Sequence, residues 1–199
     1  IHPRHADLGE SQLAGPSLNP QYQLARVDSD SADAMRCHSM IVESTAHPVM
    51  TRAMVWQTET DTRAFARQLA AHAALRNAFV ELHGELGAGK TTFVRHLLHA
   101  LNVRGRIKSP TYAVVEPHAV DGLNIWHFDF YRFDDPREWE DAGFRDIFAS
   151  DGLKLAEWPE KATHYLPRAD LAIKMEAMLD ESRKVRLLAH TPLGRELLA

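Results

Sequence analysis

Apolar residues recur at two different spacings where the chain first shows a regular pattern. Phe65, Leu69 and Ala73 follow one another every four positions after Thr58, whose neighbours resemble a capped helix start. This spacing predicts a helix with one apolar face. Residues 78–82 form a short, mostly apolar run bounded by polar residues, which predicts a buried strand.

A glycine-rich turn and a second helix follow this strand. Residues 91–98 have the composition of a helix, and the pattern closes near Asn102. Strand, turn and helix in that order are typical of the start of an α/β unit.

Later stretches of the chain are typical of further strands: residues 123–129, 153–158, 171–175 and 185–189. The first of them alternates at period two around Leu123, Ile125 and His127, and Pro159 ends the second. No apolar helix separates the last two, so we expect them to pair antiparallel. The pattern as a whole predicts an α/β fold, a sheet with flanking helices and an antiparallel C-terminal strand pair.

The first 49 residues differ from the rest of the chain. They contain four prolines and a Ser/Asp-rich stretch, and no helical or strand periodicity lasts across them. We expect a largely disordered extension over residues 1–49 and one domain over residues 50–199. Because Met50 stands where the regular pattern begins, we favour a non-native extension over a docking tail.

Composition narrows the classes of protein further. The net charge of −4 gives no global basic field for holding nucleic acid. The single cysteine, Cys37, excludes an internal disulfide and a cysteine-type zinc site. No apolar run approaches the roughly 20 residues that span a bilayer, and no signal peptide is visible at the start. We therefore expect a cytoplasmic protein with no membrane contact.

The glycine-rich turn fits the pattern G-x-x-x-x-G-K-[ST] in full, through Gly84, Glu85, Leu86, Gly87, Ala88, Gly89, Lys90 and Thr91. Glycines allow a tight backbone path, and the following helix directs N–H groups and its positive dipole end at an anion. Lys90 would reach the β- and γ-phosphates of ATP, Thr91 would bind Mg²⁺, and Thr92 would support the α-phosphate. The motif lies between a predicted strand and a predicted helix, which is the context it requires.

Hydrolysis needs a further acidic group near the metal and an oriented water. Asp129 ends a predicted strand, and ligand groups in open α/β sheets cluster at the carboxyl ends of strands. An aspartate that caps a turn is the alternative. Glu157 lies in an apolar strand, where burial is costly without a partner or a metal. An edge-strand glutamate facing water is the alternative there.

Two more residues are candidates for the nucleotide site. Trp158 either packs on the nucleotide or fills the core, which is the commoner role. Thr111, in the polar loop after the second helix, could sense the γ-phosphate and Mg²⁺ as a switch residue. The basic residues that precede this loop could meet RNA or an acidic partner, but we favour an ordinary solvated loop. A metal pair formed by His127 and Asp129 is set aside, because two residues make a weak site.

Four motif blocks together resemble the TsaE (YjeE) family, the P-loop ATPases of bacterial tRNA threonylcarbamoyladenosine synthesis. They are GELGAGKTTF at 84–93, SPTY at 109–112, HFDFYR at 127–132 and EWP at 157–159. The resemblance runs from about Met50 to the C-terminus. It implies a compact P-loop NTPase-like domain, Thr91 and Glu157 near Mg²⁺, Asp129 as a further acidic residue, and a switch-like role for Thr111.

The resemblance also implies partners and an activity. The TsaD and TsaB proteins would act with this chain on tRNA, which it would meet only through the complex. ATP hydrolysis would be slow alone, stimulated by the partners, and would support turnover of the complex. His96 departs from the family, which usually has glycine there, and this could loosen a helix contact.

Two other functions are also compatible with the sequence. A small-molecule kinase also opens with a phosphate-binding loop, but it usually needs an arginine-rich lid, and no compact one stands out. A nucleotide-gated binding module would bind ATP without useful catalysis.

Overall fold

The structure of the protein, a computed structural model, describes residues 49–199. The predicted extension over residues 1–49 lies outside the described residues, apart from Val49. Among the described residues, no helix combines the length and the apolar character needed to cross a membrane.

Strands and helices alternate along most of the described chain. They are β1 (Met50–Trp56), α1 (Glu59–Ala70), β2 (Phe79–His83), α2 (Lys90–Ala100), β3 (Val115–Val120), β4 (Leu123–Asp129), α3 (Pro136–Asp141), α4 (Phe144–Ala149), β5 (Leu153–Glu157), β6 (Leu171–Ala177), β7 (Arg183–Ala189) and α5 (Pro192–Glu196). Short 3₁₀ helices cover Ala73–Asn77 and Pro159–Lys161.

The strands form one sheet in the order β1-β7-β6-β2-β5-β4-β3. The four central strands, β6, β2, β5 and β4, are parallel to their neighbours within that group. The flanking pairs β1–β7, β7–β6 and β4–β3 are antiparallel. The predicted fold class is therefore confirmed, including the antiparallel C-terminal pair.

Helix α1 begins as the sequence predicts and ends earlier. The backbone N–H of Thr58 donates to the Asp61 carboxylate at 2.8 Å, as part of a capping box. Phe65 and Leu69 are buried on its inner face. The prediction for Ala73 was wrong: the helix ends at Ala70, and Ala73 is exposed in the 3₁₀ helix that follows. Four-residue spacing alone cannot detect that change of helix type.

The core lies on both faces of the sheet. On one face α1 and α2 cover the parallel strands, and Trp56 stacks on Phe93 with ring centroids 5.8 Å apart. On the other face the buried cluster is largely aromatic. Its members are Phe79, Phe128, Phe130, Phe133, Trp139, Phe144, Ala156, Ala162 and Ala169. Because both faces are covered, most residues of the central strands are buried.

Two strands that the pattern did not predict lie at the edges of the sheet. β1 exposes most of its residues, so it carries no alternation of buried and exposed positions. β3 contains Pro117, which an edge strand tolerates because the missing N–H can face solvent. One predicted strand is also shorter than expected: β5 ends at Glu157, and Trp158 lies outside it with φ +57°.

The glycine-rich loop (residues 84–91) runs from the end of β2 into α2. Gly84, Gly87 and Gly89 all have positive φ, at +143°, +83° and +105°. A Cβ on Gly84 would lie 2.3 Å from the carbonyl oxygen of Met175 on the neighbouring strand β6. Glycine is thus required at residue 84 both by its backbone conformation and by the close approach of β6.

A histidine joins the end of β2 to the 3₁₀ helix after β5. The ring of His83 lies 3.0 Å from a carboxylate oxygen of Glu81 and 3.5 Å from one of Glu160. Burial lowers the pKa of His83, but the hydrogen bonds to Glu160 and Glu81 outweigh it and raise the pKa to about 8. This contact holds the segment after Glu157 against the strand that carries the glycine-rich loop.

Gly84→Ala is expected to lower the free energy of unfolding by about 2–5 kcal/mol, because the new methyl group meets backbone and the positive φ disfavours any side chain. Gly87→Ala is the matched control, since nothing lies within 4 Å of its Cβ position. It should cost about 1–2 kcal/mol, from φ alone. Chemical denaturation measures both, and equal losses would contradict the close approach to Met175.

Stability should depend on His83 in a defined pH window. Because the pKa is raised in the folded chain, the contribution is fully present below about pH 6.5, the unperturbed value. It is lost as the pH rises through about 8. Denaturation at several pH values should show this loss in the native chain and not in His83→Gln. The exposed His164, changed to Gln, is the control and should keep the native profile. Identical profiles for the native chain and His83→Gln would contradict the assignment.

Candidate functional site

The carboxyl ends of three parallel strands meet at one edge of the sheet. β2 ends next to the glycine-rich loop, β4 ends at Asp129 and β5 ends at Glu157. Asp129 and Leu82 are the register partners of Glu157 on its two sides. The topology therefore brings together two acidic residues and the loop, although Asp129 and Glu157 lie 38 and 66 positions after Thr91 in the chain.

These strand ends and the loop line one cleft of about 270 Å³. Its lining residues are Leu86, Gly87, Gly89, Lys90, Thr91, Thr92, Ser109, Thr111, Asp129, Tyr131, Glu157 and Trp158. The cleft thus collects most of the residues predicted for the site. Gly84, Glu85 and Ala88 belong to the same loop but do not line the cleft.

Lys90 is folded back onto its own loop. Its Nζ donates to the carbonyl oxygens of Gly84 and Glu85, the second at 3.0 Å, and lies 3.8 Å above the ring centroid of Trp158. The side chain is buried, and burial lowers the pKa of Lys90 while the nearby carboxylate of Glu157 opposes that shift. An anion entering the cleft would therefore meet an ammonium group already held at the loop.

Glu157 is buried in the interior of the sheet. It is 2% exposed, which excludes the alternative of an edge-strand glutamate facing water. Its Oε2 accepts a hydrogen bond from the Thr91 hydroxyl at 2.8 Å, and its Oε1 lies 2.8 Å from Nε2 of His127. Both carboxylate oxygens are therefore engaged, one toward the cleft and one toward the core.

Asp129 organises the polar loop that contains Thr111. Its Oδ2 accepts from the hydroxyls of Ser109 and Thr111, the second at 2.9 Å. Its Oδ1 accepts from the backbone N–H of Tyr131 at 2.9 Å. Asp129 therefore has both of the features that the sequence offered as alternatives: it caps a turn, and it also lines the cleft.

Trp158 adopts a strained backbone conformation at the mouth of the cleft. Its φ of +57° is in the left-handed region, which bulky residues avoid, and Pro159 follows it. Its ring lies 4.9 Å from that of Tyr131, centroid to centroid. Backbone strain of this kind costs about 1–3 kcal/mol and is concentrated at functional sites. The half-buried ring both lines the cleft and packs against the aromatic core.

A second cleft of about 130 Å³ adjoins the first. The two clefts share Gly89 and Thr92, at the start of α2. Trp56, Met175 and Arg183 contribute to the walls of the second cleft. Arg183 also donates through Nε to the carbonyl oxygen of Ala88 at 3.0 Å, so it supports the glycine-rich loop from behind.

The donor set at the first cleft suits a hard cation. Among residues 49–199, no group of three or more His, Cys, Asp or Glu side chains is arranged to hold a metal ion. Thr91 and Glu157 offer oxygen atoms side by side, and Asp129 lines the same cleft from the neighbouring strand β4. Mg²⁺ uses few protein oxygens together with waters and substrate phosphates, so these residues fit it.

Sequence reasoning missed three contributors to this site. Ser109 and Tyr131 line the cleft, and His127 contacts Glu157 from the core. For His127 a signal existed, because it occupies a buried position in the alternation of β4, where a histidine needs a partner. Nothing in the pattern distinguished Tyr131 from a surface residue. The basic residues 104, 106 and 108 are exposed, as expected.

His96 contacts the start of α1. Its Nε2 lies 2.8 Å from a carboxylate oxygen of Glu59 in that helix. The side chain therefore adds a contact that glycine could not make, and the looser helix packing expected at this position stays a prediction.

Comparisons with known proteins agree on one family. The model of the family described as threonylcarbamoyl adenosine biosynthesis protein TsaE matches residues 56–185. The chain is 43% identical over 120 residues to the tRNA threonylcarbamoyladenosine biosynthesis protein TsaE of Haemophilus influenzae, covering 60% of this chain and 75% of that protein. It is 32% identical over 136 residues to the protein of that name from Bacillus subtilis, covering 67% and 84%.

A solved structure shares the fold. The crystal structure of YdiB from Bacillus subtilis superposes with a TM-score of 0.63 at 25% sequence identity, covering 76% of this chain and 94% of that one. The family match extends over more than half of the chain and includes the glycine-rich loop, Asp129 and Glu157. This chain belongs to the TsaE family.

Proposed function

We propose that this protein is the ATP-binding and ATP-hydrolysing component of the machinery that makes tRNA threonylcarbamoyladenosine. It would act with TsaD and TsaB and support turnover of their complex. The observation that carries the proposal is the contact between Thr91 and Glu157 beside the glycine-rich loop. The names of its relatives, which refer to the biosynthesis of this nucleoside, supply the pathway.

The loop supports binding of a triphosphate. Its glycines turn the backbone around a small space, and α2 begins directly at Lys90, so its first N–H groups and positive dipole end face the cleft. Lys90 would exchange its bonds to the loop carbonyls for bonds to phosphate oxygens. Because those carbonyls hold the ammonium in place beforehand, little ordering of the side chain is needed.

The second cleft is suited to the nucleoside. It continues from the first across Gly89 and Thr92, on the side of the loop where an α-phosphate would lie. Trp56 and Met175 offer apolar surface to a base, and Arg183 and the hydroxyl of Thr92 offer polar groups. A nucleotide could therefore span both clefts.

The acidic residues support hydrolysis. Mg²⁺, when bound, would neutralise charge on the phosphates. Thr91 and Glu157 would hold it, and Asp129 would fix the loop that carries Thr111 opposite the phosphates. Asp129 and Glu157 are both near the cleft, so either could orient water.

Exposed apolar residues around the cleft support a protein partner. Leu86 is 77% exposed and Tyr112 is 86% exposed, and the guanidinium of Arg132 lies 4.6 Å from the ring centroid of Tyr112. Leu86 lines the cleft and Tyr112 directly follows Thr111, another lining residue, so both exposed side chains lie at its border, as in an interaction surface. A partner seated there would cover the open side of the cleft and limit access of water.

Phosphate release from ATP and Mg²⁺ should be slow for the chain alone and faster with TsaB and TsaD. Lys90→Ala and Glu157→Ala should each lower the stimulated rate by about 100-fold or more, since each removes a group that acts on the phosphates or the metal. Lys161→Ala changes an exposed lysine outside the cleft and is the matched control. Its rate should equal that of the native chain.

Other outcomes of the same assay would change the assignment. Release that ignores both partners would leave an ATPase outside this pathway. Phosphate transfer to a nucleoside or metabolite would identify a small-molecule kinase. Tight ATP binding and partner docking, with no release in the full complex, would identify a binding module.

A further inference from the structure

His127 is a fully buried histidine with one described hydrogen bond. It is 0% exposed, on the face of β4 that also carries Leu123 and Ile125. Its Nε2 lies 2.8 Å from Oε1 of Glu157, and among the described residues Nδ1 has no partner. An imidazole in such surroundings is costly unless its hydrogen bond is made. Among the described residues, Glu157 is therefore the one hydrogen-bond partner of the ring.

The direction of this hydrogen bond follows from the chemistry of its partner. A carboxylate oxygen only accepts, so the ring nitrogen that faces it must carry the hydrogen. Nε2 is thus the donor, and the unpartnered Nδ1 is the nitrogen without a hydrogen in the neutral ring.

The two oxygens of Glu157 then have separate partners. Oε1 accepts from His127 on the core side, and Oε2 accepts from Thr91 on the cleft side. A glutamate has three side-chain torsions, and one anchor at Thr91 leaves the carboxylate free to turn. The second anchor fixes the plane of the carboxylate and directs Oε2 toward the cleft.

We propose that His127 is a positioning residue, whose Nε2–H holds Glu157 so that Oε2 faces Thr91 and the Mg²⁺ expected beside it. This inference rests on the proposed function, because it assigns to His127 a role in the metal site of that function. Residues that orient a metal ligand in this way typically change metal affinity by about 10–100-fold when they are replaced.

Two amide substitutions separate positioning from packing. His127→Gln places an amide N–H at about the distance of Nε2, whereas His127→Asn is one methylene shorter and cannot reach Glu157. His118→Asn is the control: it also has a buried ring nitrogen without a described partner, but it makes no hydrogen bond to Glu157. Affinity for a non-hydrolysable ATP analogue is measured with Mg²⁺ and with EDTA, alongside the melting temperature.

The native chain, His127→Gln and His118→Asn should all bind the analogue more tightly with Mg²⁺ than with EDTA. His127→Asn should lose about tenfold or more of that gain and keep its affinity in EDTA. If His127→Asn keeps the full gain, or loses affinity equally in both conditions, the positioning role is overturned. A native chain that binds no analogue, or gains nothing from Mg²⁺, contradicts the proposed function itself.

A measurement on the native chain covers the case in which the variants fail to fold. Nitrogen-15 spectra of the histidine rings, assigned through the backbone, report which ring nitrogen carries a hydrogen. We expect hydrogen on Nε2 of His127. A ring with hydrogen on Nδ1 alone would overturn the proposal, because Nε2 could then not donate to Glu157.

Discussion

A buried carboxylate at the end of the central strand β5 is the constraint around which the site is arranged. Glu157 lies between β2 and β4, where a charge is expensive to desolvate without partners. The Thr91 hydroxyl and the His127 ring each contact one of its oxygens, and its charge opposes the lowering of the Lys90 pKa that burial causes. Thr91 and Lys90 lie where the glycine-rich loop runs into α2, and His127 lies in β4, so the carboxylate connects β5 to both.

The parallel arrangement of the central strands makes this possible. Because β2, β4 and β5 run in one direction, their carboxyl ends share an edge, and the loop and both acids open onto it. Helices α1 and α2 cover one face, and an aromatic cluster under the other supports the strands that end at Asp129 and Glu157. The antiparallel strands at the borders mainly support the sheet, although Trp56 of β1 and Arg183 of β7 line the second cleft.

The chain's membership of the TsaE family and the geometry of its cleft point in the same direction. The loop, the buried acid and the hydroxyl of Thr91 are chemically suited to a nucleotide with a divalent cation, and the cleft is open to solvent beside exposed apolar residues. A site of this kind depends on what covers it, since water exclusion strengthens every electrostatic contact inside. This links the proposed activity to the proposed partners.

The sequence by itself determined those elements whose structure depends on residues close together along the chain. The glycine-rich loop, helices α1 and α2 and the buried strands were predictable. The spacing of apolar residues and the residue types required by a tight turn are both local features of the sequence. The edge strands were not predictable, since β1 buries little and β3 contains Pro117, a residue that argues against a strand. Only the tertiary structure decided that Glu157 is interior, that Asp129 binds Ser109 and Thr111, and that His127 meets Glu157. Those contacts depend on strand order, and strand order is set by how distant segments pack.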